Sequence, residues 1–271
     1  MIGSNAVAQS EKLLIKFSRI GIASKGVIYC ILGILSFLAA IGYKKSKIGK
    51  GEVFSTILDQ AFGKTLLIIL TIGLLGYVVW CIIQTVKDPY HKGTDAKGIF
   101  ARAGYLLSGL IYLSVAILAG KMALSMANSR DGANSHQKIV SELLSQSYGQ
   151  WLVGITAVGI IAYGIYQIYK GITRKFLKNI NQQSIDNNKR KAYEYAGMVG
   201  FISRGLIFVV IGYLFIKAAI NSNASQAEGT EGAFDFISKS FGPILVVGIA
   251  IGLFAYGIFM FVKAKYAEVH F

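Results

Sequence analysis

Long apolar runs alternate along this chain with short polar and basic segments. Six runs can be read off: about Ile20 to Tyr43, Thr65 to Val86, Ala103 to Gly120, Trp151 to Tyr169, Ala196 to Ile220 and Pro243 to Val262. Each reaches roughly the 20 residues that a helix rising ~1.5 Å per residue needs to cross a bilayer. Their Ile, Val and aromatic content would also suit strands. The segments of about ten alternating polar and apolar residues that mark a membrane barrel are missing, however, so the pattern predicts helices. Three shorter amphipathic stretches, Val53 to Ala61, Ile139 to Ser147 and Ala233 to Ser240, fall between the runs of successive pairs. They are too short to cross and are predicted to lie on the outer membrane surface. The first run, with Ala39 and Ala40 near its end, imitates a secretory signal, but it is too long for one and its pattern recurs downstream.

The recurrence organises the chain. Gly21, Lys25, Gly26 and Tyr29 align without gaps with Gly104, Ser108, Gly109 and Tyr112, and with Gly200, Arg204, Gly205 and Phe208. The second helix of each pair opens on Phe62-Gly63, Tyr148-Gly149 or Phe241-Gly242. It then carries Gly73, Gly159 or Gly252, followed four residues later by Tyr77, Tyr163 or Tyr256. The expected organisation is therefore three units of two helices, 1–88, 89–172 and 192–271, with a basic cytoplasmic loop at 173–191. A two-helix unit returns to its starting side, so the repeats are parallel. The fold class is an all-α integral membrane protein with six transmembrane helices around a pseudo-threefold axis.

These residues resemble the domain-of-unknown-function 1206 family of bacterial membrane proteins over nearly the whole chain. That family's first helix reads Arg-x-Gly, then a basic residue and Gly-x-x-Tyr, matched here by Arg19, Gly21, Lys25, Gly26 and Tyr29, and by Arg102, Gly104, Gly109 and Tyr112. The third copy has Met198 and Phe208 where arginine and tyrosine are expected, and Ser108 replaces the basic residue in the second. The resemblance implies the architecture and brings no activity with it.

Composition agrees with the bilayer as solvent: 54% of residues are hydrophobic, only 15% are charged, and mean hydropathy is +0.54. The formal net charge of +15 would suggest nucleic acid if the basic residues shared a face with aromatics, and they do not. With the N-terminus inside, the basic residues of the inner segments, among them Lys87, Arg102, Lys170, Arg174, Lys175 and Lys263, outnumber those of the outer loops. This bias predicts a multi-pass inner membrane protein with both termini cytoplasmic, whose expected partners are anionic lipid headgroups and another membrane protein. Cys30 and Cys81 fall within helices and form no disulfide framework.

Candidate chemistry is sparse. Lys25, Ser108 and Arg204 occupy one repeat position; Arg204 lies roughly 13 Å along the helix from Tyr195, inside the hydrocarbon edge. Two fates are open to such cations: reaching back to the cytoplasmic interface, or forming an intramembrane ligand or lipid site. No Asp or Glu lies within the six runs to pair with them. Tyr77, Tyr163 and Tyr256 form a repeated aromatic set, expected to anchor at the interface or to hydrogen-bond between repeats, with a ring lining a pore as the alternative. Gly21, Gly26, Gly104, Gly109, Gly200, Gly205, Gly248 and Gly252 are expected to serve close helix packing. His91, His136 and His270 fall outside the runs, so neither haem nor a metal site is expected, and no cofactor is. Gly63-Lys64-Thr65 lacks the first glycine of a phosphate loop. No nucleophile, base and electrophile occur together, so no catalytic residue is assigned. The expected function is a non-enzymatic scaffold or a lipid- or partner-binding protein. The alternative is a channel or carrier for a small anion or amphiphile along the pseudo-threefold axis.

Overall fold

A computed structural model describes residues 2–43, 49–88, 93–126, 129–146, 148–179 and 187–266. His91, His270, part of the first outer loop and residues 180–186 of the basic segment lie outside these, as does the side chain of His136. Among the described residues all regular structure is helical. The long helices are α1 (Ile2–Ala40), α3 (Gly63–Val86), α4 (Ala96–Ala123), α6 (Gly149–Ile172), α7 (Asn187–Ile220) and α9 (Pro243–Tyr266), and the short ones are α2 (Lys50–Leu58), α5 (Ser129–Leu144) and α8 (Thr230–Phe241). Six stretches are long and apolar enough to cross a membrane: Arg19–Ala40, Gly63–Val86, Ala101–Ala123, Gly149–Ile172, Arg190–Ile220 and Pro243–Tyr266. Their outward faces carry bare apolar side chains such as Ile69, Ile72, Ile155, Ile165 and Ile251, as a lipid-facing surface requires.

The short helices sit where the two helices of each unit are joined, and they are less superficial than their patterns suggest. Val53 and Phe54 of α2, Val140 of α5, and Ala233 and Ile237 of α8 are buried against the bundle. Helix α5 also starts at Ser129, well before the apolar stretch from Ile139, because its polar first half continues the same helix. The aromatic-glycine pairs serve two purposes. At Gly63 and Gly149 the missing side chain lets the backbone rest on carbonyls of Ile57 and Leu143. Gly242 instead ends α8 in the left-handed region, at φ +82°, which glycine adopts without steric cost.

The six long helices are arranged in sequence order, with α9 returning to α1. Units meet where α3 packs on α4, α6 on α7 and α9 on α1. At two of these junctions glycines bring backbones together: a Cβ on Gly26 would lie 3.0 Å from the Gly257 carbonyl oxygen, and one on Gly205 2.7 Å from that of Gly164. At the third, Gly109 meets the Cβ of Cys81. Within units, α1 packs on α3 and α7 on α9, whereas α4 and α6 hardly approach. Gly248 and Gly104 depart from the packing role expected of them, having nothing within 4 Å of a Cβ; Gly248 is on an open face of α9, and Gly104 faces the space between α4 and α6.

Candidate functional site

Each unit joins its repeated first-helix residue to its repeated tyrosine. Lys25 Nζ donates to Tyr77 Oη at 3.2 Å, Ser108 Oγ and Tyr163 Oη lie 3.2 Å apart, and Arg204 Nη1 donates to Tyr256 Oη at 2.7 Å. The two sets read separately in the sequence are thus one set of three pairs. The third pair is tied to the second, since Arg204 Nη2 reaches Tyr163 Oη at 3.3 Å and Gln167 Nε2 donates to the same oxygen at 3.2 Å. With two donors aimed at it, the Tyr163 hydroxyl gives its own proton to Ser108 Oγ.

Aromatic rings surround the cations. The Lys25 ammonium lies 4.4 Å from the centroid of Tyr112, 4.6 Å from Tyr77 and 5.9 Å from Tyr256. The Arg204 guanidinium lies 5.3 Å from Phe208 and from Tyr256, and 5.6 Å from Tyr29. Both cations therefore face the Tyr256 ring from different units. One edge-to-face contact recurs at each junction between units: Tyr29 on Tyr256, Tyr112 on Tyr77 and Phe208 on Tyr163, with centroids 4.8, 5.0 and 5.1 Å apart. Tyr112 Oη also donates to Tyr29 Oη at 3.1 Å.

Lys25 and Arg204 are each only 4% exposed, so neither snorkels. The helices are apolar nearly all round, and the inward turn of these two side chains gives some of their donors phenol acceptors where lipid would offer nothing. Among the described residues Arg204 Nε has no hydrogen-bond partner.

A cavity of about 100 Å³ opens against this layer, lined by Lys25, Tyr77, Ser108, Tyr163, Arg204 and Tyr256 together with Gln84, Gln167, Lys170 and Lys263. Among the described residues no carboxylate lines it. Gln84, Lys170 and Lys263 were not among the expected site residues, and Lys170 and Lys263 were read only as topology charges. Yet each stands seven residues, two helical turns, after its unit's tyrosine. The alignment that located the tyrosines would have located them. On the far side of Arg204 and Tyr163 lies a second, mostly apolar cavity of about 260 Å³.

Lys50 reaches that second cavity from α2. Burial, then the nearby Arg204 charge, pushes its ammonium from an ordinary 10.5 down to about 8, with Glu231 acting the other way. The unfolded chain keeps this proton to higher pH than the folded one. The destabilisation is therefore complete below about pH 8 and is released as pH rises from there toward 10.5. The thermal midpoint of the native protein is expected to climb relative to Lys50→Met across that window. A difference that stays constant with pH would reject the assignment.

A family profile described as Domain of Unknown Function (DUF1206) matches the chain three times, at residues 20–88, 103–174 and 199–267. The chain is 31% identical over 265 residues to an uncharacterized protein, YxxB, of Bacillus subtilis (strain 168), covering 97% of this chain and 95% of that protein. No solved structure matches it.

Proposed function

This chain belongs to the family described as Domain of Unknown Function (DUF1206), and we propose that it is a non-enzymatic membrane protein that binds the negative group of a small anion or amphiphile at Lys25 and Arg204. The observation that carries this reading is the lining of the smaller cavity: Lys25, Lys170, Arg204 and Lys263 contribute to it and, among the described residues, no acidic one does. Removing an ion from water costs several kcal/mol even after relaxation. Phenols and aromatic faces offset only part of that cost, and an anion bound in the cavity that Lys25 and Arg204 line would offset more.

We place both termini on the cytoplasmic side of an inner membrane, because the basic segments concentrate there, with anionic lipid headgroups as neighbours. We take the three units to share a pseudo-threefold axis. A carrier is the second reading, favoured because Arg204 and Tyr163 line both cavities and so stand on a route between them.

Calorimetric titration of the purified protein in neutral detergent with inorganic phosphate is expected to show one saturable site. Its affinity should fall at least tenfold in Lys25→Ala. Absence of binding in the native protein, or equal affinity in the variant, rejects the reading. For the carrier, phosphate efflux from vesicles should depend on the pair Lys25→Ala and Arg204→Ala, and equal efflux rejects it.

A further inference from the structure

The two helices of the second unit do not close on each other. We propose that the slot between α4 and α6 holds the hydrocarbon tail of a single-chain anionic amphiphile that arrives sideways from the bilayer, with its charged end at Arg204. The proposal rests on the preceding reading of Arg204 as an anion site, and adds the tail, its place and its route.

The slot follows from an inequality among the repeats. In the first and third units the position before the repeated Lys25 or Arg204 is Ser24 or Ser203, and each serine fits directly into the space left by Gly73 or Gly252 of the partner helix. The second unit has Leu107 at this position. A leucine is too large for that space, and Gly159, the counterpart of Gly73 and Gly252, has nothing within 4 Å of a Cβ. One turn earlier, Gly21 and Gly200 touch the Tyr77 and Tyr256 backbones, whereas Gly104 touches nothing. The hydrophobic core divides along the same line. Tyr112, Val115 and Ala119 of α4 belong to the main cluster, while Val153 and Ala157 of α6 belong to a smaller one with Phe215 and Ala218 of α7.

The cavity of about 260 Å³ lies at this division, between Leu107 and Ile111 on one edge and Ile160 on the other, with Ile207 and Phe215 behind and Arg204 at its inner end. It exceeds the roughly 150 Å³ of an apolar cavity that stays dry and takes benzene. A tail moving from lipid into it exchanges one apolar surrounding for another and gains little, so the charged end must supply the selectivity. Arg204 supplies it, as a buried guanidinium that lines the cavity. The bond between Ser108 and Tyr163 ties α4 to α6 at the level of Arg204. That tie narrows the slot at its charged end.

The test uses the full chain in phosphatidylcholine vesicles containing a photoactivatable hexadecanoate, with crosslinked peptides mapped by mass spectrometry. Label is expected to concentrate on α4 and α6 around Leu107 and Ile160. It should fall at least tenfold in Ile160→Trp, which fills the slot, and in Arg204→Met, while staying level in Leu110→Trp on the lipid-facing side of α4. Phosphate binding retained by Ile160→Trp reports that this variant is folded. Label spread evenly over the lipid-facing helices, or unchanged in Ile160→Trp, overturns the slot while phosphate binding leaves the anion site standing. Equal slot labelling by a photoactivatable phosphatidic acid overturns the single-chain assignment. Loss of phosphate binding by the native protein removes the anion site itself.

Discussion

Replacing Arg204 with methionine is expected to raise the thermal midpoint of the anion-free protein and to abolish the further rise that phosphate produces in the native one. The guanidinium is buried among rings, carries a full charge and leaves Nε without a partner. Removing it loses hydrogen bonds to Tyr256 and Tyr163, but Tyr163 keeps Gln167 and Ser108. It also removes repulsion with Lys25, which faces the same Tyr256 ring. Replacement of buried charged groups by apolar residues of similar volume is often neutral or stabilising, by about 1–4 kcal/mol, and we expect a gain in the lower half of that range. The native protein at an anion concentration of ~100 Kd should recover about 2.7 kcal/mol through binding, and the variant none of it. Paired melting curves with and without phosphate measure both effects. A lower midpoint for Arg204→Met in anion-free buffer would make this arginine a structural support.

The second large effect separates glycines that look alike in sequence. A Cβ on Gly21 would lie 2.5 Å from the Tyr77 backbone nitrogen, and one on Gly200 2.6 Å from the Tyr256 Cβ. Helix backbone cannot yield as a flexible side chain can, so α1 must leave α3, or α7 leave α9. Overpacking of this kind costs typically ~1–3 kcal/mol and sometimes more. Gly21→Ala and Gly200→Ala are each expected at or above the top of that range, and should also misplace Tyr77 or Tyr256. Gly104→Ala, whose methyl would point into the smaller cavity, is expected to be neutral or to stabilise by roughly 0.5–1 kcal/mol, the ordinary helix preference for alanine. Chemical denaturation in detergent reads all three. Equal damage in Gly104→Ala would mean that α4 and α6 are packed after all.

Much of the fold is legible in the sequence, and less of the site. Lys25, Ser108 and Arg204 were recognisable as one position and Tyr77, Tyr163 and Tyr256 as another, because gapless repetition makes equivalence visible. That the two positions face each other within a unit was not recognisable. It depends on the rotation of each helix about its axis, and in a helix apolar on every side nothing in the pattern fixes that rotation. Lipid-facing Ile155 and buried Ile207 are the same residue to a hydropathy count. Lys170 and Lys263 were visible as charges near helix ends, but their place in the cavity again depended on rotation.

By itself, then, the chain determined six membrane-length helices and three parallel units, since bilayer thickness dictates run length and repetition dictates equivalence. Only tertiary structure decided that the cations turn inward onto phenols, and that the three units are unequal. The leucine at position 107 was legible all along as a departure from serine. Its consequence, two helices held apart where their counterparts touch, appears only when the partner glycine is brought opposite it, because a clash belongs to a pair of surfaces and neither surface encodes it alone.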